Sequence, residues 1–187
     1  CNYLDMPLQH GSSEILKLMR RGITREKTDA LIKDIRDINP EISIRTTLIA
    51  GHPGEKDSHF KEMYDFVERN RFDRLGVFTY SHEEGTHSHS FEDDVPETLK
   101  RKRYNQIMSL QQSISEDLNK KKVGKSFKVL IDRGDKNNYF GRTEFDSPEV
   151  DNEVIIPAKN FHLRVGEFYD VKIISASEYD LIGEVLK

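Results

Sequence analysis

Cysteine is almost missing: Cys1 is the single one among 187 residues. One thiol excludes an internal disulfide framework and fits a reducing compartment. It also cannot by itself hold an iron–sulfur cluster, which takes several thiolates. Long apolar runs are missing too. No run reaches the roughly 18 residues of a membrane-spanning helix. The opening CNYLDMPLQHGSS has neither the basic start nor the apolar stretch of a secretion signal. A cytoplasmic location is therefore expected, with no membrane partner. The first residue is not Met, which predicts that the chain is cut from something longer. Excess positive charge is absent as well: 29 Lys and Arg stand against 33 Asp and Glu, a net charge of −4, which gives no general push toward nucleic acid. What is present is an ordinary globular balance, 33% charged against 35% hydrophobic residues. The length suits one medium domain or two small ones, each with a modest core.

Residues 3–9 (YLDMPLQ) read as a short strand running into a loop. Ser12 and Ser13 are N-cap candidates for a helix with Ile15, Leu16 and Met19 on one face, and Gly22 supplies a stop. A second helix follows Thr24, with Ala30, Leu31, Ile35 and Ile38 apolar, and Pro40 bounds it. The β-branched run 42–50 (ISIRTTLIA) predicts a buried strand, and Gly51-His52-Pro53-Gly54 must turn the chain. Asp57 or Ser58 is placed to cap the next helix, where Phe60, Met63, Tyr64 and Val67 form a helical stripe. Residues 74–80 (RLGVFTY) read as the next strand. Strands separated by helices pair in parallel. Nothing opens or closes such a sheet within residues 1–95, so they predict the later part of a β/α barrel. Pro96 fits the first turn of a long helix with Leu99, Ile107, Leu110, Ile114 and Leu118 apolar and basic runs at both ends; it would connect two domains over 96–123. Beyond Gly124 come short alternating segments: Phe127, Val129 and Ile131; Val154 and Ile156; Phe168, Val171 and Ile173; Leu181 and Val185. They predict a small antiparallel β-barrel of about five strands over 124–187.

Four segments carry candidate chemistry. Ile49 through Glu55 ends a parallel strand, the end at which β/α barrels bind ligands, and its glycines let the backbone approach a flat group such as an adenine. The same residues also suit a turn that needs Gly and Pro only for shape, and no Gly-Lys-Ser/Thr follows to make a P-loop. Leu8-Gln9-His10-Gly11-Ser12 ends the preceding strand and suits a ribose or carboxylate, or simple helix capping. The loop 80–94 holds His82, His87 and His89 beside carboxylates, but at no spacing of a closed zinc set. Residues 141–156 place Asp146, Glu149, Asp151 and Glu153 close together, either as a solvated hairpin or as a surface for a basic partner.

Taken in order, these segments resemble the methylthiotransferase family of radical S-adenosylmethionine enzymes. The family pattern runs Pro-x-Gln-x-Gly-Ser, Leu-x-x-Met-x-Arg, Ile-x-Gly-Phe-Pro-Gly-Glu and Tyr-Ser-x-x-x-Gly-Thr. The chain has Pro7–Ser12, Leu16–Gly22, Ile49–Glu55 and Tyr80–Thr86 in register. Its tail after Gly124 is similar to the family's TRAM domain, an OB-like barrel that binds RNA or protein. Glu83 and Glu84 in the Tyr-Ser loop, with the stretch 141–151, resemble the branch that modifies an aspartate of a small-subunit ribosomal protein; tRNA-modifying relatives usually carry Arg in that loop. His52 departs from the usual Phe, and the Cys-x-x-x-Cys-x-x-Cys of the family is not in the chain.

The resemblance implies a fold: the C-terminal part of an open radical-SAM β/α barrel followed by a TRAM barrel. It implies S-adenosylmethionine and [4Fe-4S] clusters as cofactors, with the cluster cysteines upstream of Cys1. Gln9, Ser12, Arg45, Ile49, Gly51 and Glu55 would line the cofactor site, with Arg45 equally suited to a structural carboxylate. Glu83, Glu84, Asp146, Glu149 and Asp151 would meet a basic ribosomal protein, with ribosomal RNA nearby against Lys100 to Arg103. Residues 124–187 carry nine Lys and Arg against twelve Asp and Glu, a balance that favours a basic protein over RNA. A tRNA-modifying relative and a binding module without chemistry remain the alternatives.

Overall fold

In the computed structural model, residues 1–158 and 162–186 are described; Lys187, the end of the expected C-terminal domain, lies outside them. The chain divides into two compact units, Leu4–Gln111 and Cys1–Tyr3 with Gln112–Lys187.

In the first unit, β1 (Tyr3–Asp5), β2 (Ser43–Ala50) and β3 (Arg74–Thr79) form a three-stranded sheet in that order, with α1 (Ser13–Leu18), α2 (Arg25–Ile38) and α3 (Asp57–Asn70) between strands. β2 and β3 pair in parallel from Arg45 opposite Arg74 to Ala50 opposite Thr79. The expected strand over 3–9 is regular only to Asp5. Pro7 has no N–H to give and Gln9 sits at φ 73, yet pairing resumes at a parallel bridge between Gln9 and Leu48.

The apolar stripes of two helices turn out rotated from their sequence reading. In α2 the buried residues are Thr28 and Ile32, while Leu31 and Ile38 face out. In α3 the buried set is His59, Met63, Phe66, Val67 and Asn70, with Phe60 and Tyr64 only half-buried. β2 explains the facing. Ile44, Thr46, Leu48 and Ala50 alternate on one wholly buried face, and Arg45, Thr47 and Ile49 lie half-buried on the other. Thr24 caps α2 by accepting from the Lys27 N–H. Neither Asp57 nor Ser58 caps α3: Lys56 holds that place, its N–H given to His59 Nδ1 at 3.2 Å. α4 (Glu97–Lys120) follows Pro96 as expected and begins in this unit.

In the second unit, β4 (Ser126–Gly134), β5 (Asn138–Arg142), β6 (Val154–Pro157), β7 (Phe168–Ala176) and β8 (Leu181–Val185) close into a barrel in the order β4-β5-β6-β8-β7. The barrel is mixed, not antiparallel throughout: β6 and β8 run parallel. Parity requires this, because a closed ring of alternating directions needs an even number of strands. Val129, Ile131, Val154, Ile156, Leu163, Val171, Ile173 and Leu181 fill the interior. Phe168, counted among the inward residues by sequence, points out at 58% exposure because it is one step out of register with Tyr169, Val171 and Ile173. Among the described residues no helix is long and apolar enough to cross a membrane.

Candidate functional site

A cavity of about 410 Å³ opens where β2 and β3 end. Strand alternation makes its floor: Thr47 and Ile49 occupy the less buried face of β2, and Phe78, opposite Ile49 in the pairing, lies beside them. Met19, Arg21, Gln9, His52 and Tyr80 join the wall, with Thr79, Ser81, Glu83, Thr86 and Ser88 supplying polar atoms from β3 and the loop beyond it. A pocket of apolar and aromatic groups with a few hydroxyls and an amide suits a flat heteroaromatic ligand with a polar appendage.

The candidate cofactor residues separate into two groups. Gln9 and Ile49 line the cavity, and the Ile49 N–H donates to the Gln9 carbonyl at 2.8 Å. The positive φ of Gln9 is an uncommon conformation for a residue with a Cβ, of the kind that collects at functional sites. Arg45 shares the sheet face of Thr47 and Ile49 but lies outside the cavity, with Nε 3.7 Å from Asp5. Ser12, Gly51 and Glu55 lie behind the wall. Ser12 precedes α1 without a side-chain cap bond, and its buried hydroxyl has no hydrogen-bond partner among the described residues. Gly51 at φ 80 packs on Lys100: an added Cβ would lie 2.3 Å from Lys100 Cγ.

Glu55 is the hub of this layer, its carboxylate wholly buried. One oxygen, Oε2, accepts from the Gly51 N–H at 2.8 Å and from His10 Nε2 at 3.1 Å. The other accepts from Arg103 at 2.9 Å. His10 Nδ1 accepts the Ser12 N–H at 2.9 Å, so its proton sits on Nε2, aimed at Glu55. The Arg103 guanidinium also reaches the Glu55 carbonyl at 2.9 Å and Asp57 at 2.8 Å. With three donors on its buried carboxylate, Glu55 holds the loop together from behind the wall and does not line the cavity.

Sequence reasoning missed the role of Lys100 and Arg103. The basic run at the start of α4 suggested a solvent face for ribosomal RNA, but these two are buried while Arg101 and Lys102 are exposed. Their i, i+3 spacing puts both on one side of the helix, and the carboxylates Asp93, Glu55 and Asp57 draw them in. That spacing was the available signal. Phe78 was missed because strand alternation does not say which face stays open.

His52, at the position where Phe is usual, is buried at the cavity wall. Its Nδ1 donates to the Pro53 carbonyl at 2.9 Å, so Nε2 accepts from the Ser88 hydroxyl at 2.8 Å. Its ring stands edge-on to Tyr80 and Phe91. Burial holds its pKa below the usual imidazole value, and His10 adds to the depression; Pro53, Glu55 and Asp94 oppose it.

Of the acidic partner candidates, Glu83, Glu84 and Glu149 are exposed and Asp151 is half-buried. Glu83 accepts from the Ser81 hydroxyl at 2.6 Å and Asp151 from the Ser147 N–H at 2.8 Å. Asp146 is not available to a partner: it is 7% exposed and accepts from the Thr143 hydroxyl at 2.6 Å. Its type suggested a surface residue, but a local turn uses it up. Among the described residues no group of three or more His, Cys, Asp and Glu side chains is placed to hold a metal ion, and Cys1 is the single thiol. The chain's residues therefore do not fit an iron–sulfur cluster. They do fit an adenosyl ligand, on the strength of the cavity between Ile49, Phe78 and Gln9.

Residues 1–67 match the radical SAM superfamily and residues 123–186 match the TRAM domain. The chain is 59% identical over 187 residues to the ribosomal protein uS12 methylthiotransferase RimO of Cytophaga hutchinsonii, covering 100% of this chain and 43% of that protein. It is 55% identical over 186 residues to the protein of that name from Christiangramia forsetii, covering 100% of this chain and 41% of the relative. The Chlorobaculum tepidum protein of that name is 49% identical over 185 residues, covering 99% and 43%. The chain thus spans about two fifths of the length of these curated relatives.

Proposed function

We propose, from the premise that the chain belongs to the radical S-adenosylmethionine methylthiotransferase family, that the protein it is part of adds a methylthio group to an aspartate of ribosomal protein uS12. The observation that carries the reading is the cavity at the ends of β2 and β3, set in a chain that aligns over its whole length with proteins of that name.

In this reading the cofactors supply a carbon radical that removes hydrogen from the substrate and a sulfur source that replaces it. The chain's own residues bind and orient. Ile49 and Phe78 give the adenine a flat apolar bed, and Gln9 and Thr47 offer hydrogen bonds to the sugar. Tyr80, Thr86 and Ser88 add an aromatic edge and hydroxyls to the wall. Cys1, the single thiol, cannot by itself hold a cluster.

The test is an anaerobic reaction of the protein from its complete reading frame, with reconstituted clusters, S-adenosylmethionine and either uS12 or tRNA. Mass spectrometry is expected to find a methylthio group on a uS12 aspartate. Modification of tRNA, or of neither substrate, overturns the reading. The 187-residue chain alone, treated the same way, is expected to form no 5′-deoxyadenosine.

A further inference from the structure

The three strands of the first unit end in three separate loops, and one turn of α4 reaches all of them. Arg103, 2% exposed, binds Glu55 in the loop after β2. Through the same carboxylate it meets His10, which follows β1, and the Gly51 N–H. Lys100, 3% exposed, places its aliphatic stem against Gly51 and its ammonium 2.6 Å from Asp93. The ammonium also lies 3.4 Å from the Tyr80 carbonyl and 5.2 Å from the Tyr80 ring, just after β3. Neither Lys100 nor Arg103 lines the cavity, but the residues they fix include its neighbours: Gly51 sits between Ile49 and His52, and Tyr80 is itself a wall.

Two buried cations are costly unless each is paired and hydrogen-bonded. Here each has more than one partner, and the most buried of them lie in strand-end loops: Glu55 for Arg103, and Asp93 with the Tyr80 carbonyl for Lys100; Asp57 adds to Arg103 from the start of α3. A helix that only needed to pack there would do so with apolar residues of like volume, often at no loss of stability. Directional bonds do what packing does not: they fix the position and orientation of each loop, and ligand geometry depends on that placement. Gly51 is caught from both sides, its N–H by Glu55 and its Cα face by Lys100, so the direction of the chain leaving Ile49 is fixed by α4.

We propose that Lys100 and Arg103 are positioning residues: from α4 they set the three strand-end loops, and through them the affinity of the cavity for an adenosyl ligand. The inference rests on the reading of that cavity as an S-adenosylmethionine site.

The experiment titrates S-adenosylhomocysteine into the protein from its complete reading frame by calorimetry. The variants are Arg103→Met, Arg103→Lys, Lys100→Met and, on the exposed side of the same helix, Lys102→Met. Arg103→Met is expected to weaken binding by roughly tenfold or more, the scale of losing a charge-assisted, multiply bonded group. Arg103→Lys should recover part of it, since charge returns without the planar fork. Lys100→Met keeps the stem against Gly51 and should weaken binding severalfold, while Lys102→Met leaves it unchanged. Should Arg103→Met fail to fold, Lys100→Met and Arg103→Lys carry the same comparison. A second readout separates positioning from mere stability: KM for S-adenosylmethionine in 5′-deoxyadenosine formation should rise while kcat at saturation holds. Unsubstituted protein that binds no S-adenosylhomocysteine overturns the cofactor reading and the inference together. Full affinity in folded Lys100→Met and Arg103→Lys proteins overturns the inference alone.

Discussion

At the scale of single residues, His52 links chemistry to pH most directly. Its imidazole is held neutral by burial, with the proton on Nδ1 given to Pro53 and Nε2 accepting from Ser88. The folded pKa lies below the 6.5 of a free imidazole, so below that pH the unfolded chain binds more protons than the folded one. Stability then falls as pH drops below 6.5 and on through the lower folded value, and this contribution is fully present above 6.5. Replacing His52 with Phe removes the titrating group and keeps a ring against Tyr80. Denaturant midpoints measured at about pH 7.5 and about pH 5.5 should therefore differ less in His52→Phe than in the parent. An equal or larger difference in the variant would refute the assignment. At neutral pH the variant gives up the Pro53 and Ser88 bonds, each worth about 0.5–1.5 kcal/mol.

Residue identity alone was a fair guide to some positions and a poor one to others. Gln9 and Ile49 were legible because they sit where strands end, and strand ends in parallel sheets face the cavity. The burial of Asp146 and Glu55 was not legible, for a shared reason. A carboxylate in a loop looks solvated or ligand-facing until its donors are known, and the donors, Thr143 for one and Arg103 for the other, lie on partners that charge alone does not identify. Arg103 is 48 positions from Glu55, so no local pattern joins them.

At the scale of elements, the order of strands and helices was readable, because β-branched runs and helical stripes are local signals, except at β5 (Asn138–Arg142), which none of the alternating segments covered. Facing was less readable. Leu31 and Ile38 are apolar yet exposed, and Thr28 is polar yet buried, since the face a helix buries is set by the sheet beneath it. The barrel shows a second limit. Five strands close with one parallel pair, a constraint of topology that no segment carries in its own sequence. Its strands also approach closely at two glycines. A Cβ on Gly141 would stand 2.4 Å from the Leu130 carbonyl oxygen, and one on Gly183 2.3 Å from Val171 Cγ1. The first obstacle is backbone and cannot rotate away. Gly141→Ala should destabilise the second unit by about 1–3 kcal/mol or more, and Gly183→Ala by less if Val171 can turn. Denaturation monitored in residues 112–187 would test the ranking; an unchanged midpoint for Gly141→Ala would contradict the register around β5.

For the molecule as a whole, the two units differ in kind: one is an open sheet of three strands, the other a closed barrel with no free edge. They differ in electrostatic use as well. The total of −4 hides a first unit that spends cations internally, on Glu55, Asp57 and Asp93, and a second whose excess of carboxylates includes exposed Glu144 and Glu149. Ribosomal proteins are basic as a class, and a surface rich in carboxylates speeds their encounter more than it strengthens the final complex. If uS12 is the partner, charge reversal at Glu149 and Asp151 should lower its association rate severalfold at low salt and far less at high salt, with the dissociation rate nearly unchanged. Asp146→Lys belongs to another class. Its carboxylate is buried against Thr143, so that variant should lower the unfolding midpoint, and a loss of binding there would say nothing about steering. Stopped-flow association of the protein from its complete reading frame with uS12 and with tRNA, each at two salt concentrations, decides the question. Tighter and more salt-sensitive binding to tRNA, or a Glu149 and Asp151 reversal that leaves uS12 association unaltered, would show that the carboxylates between β5 and β6 do not select the substrate.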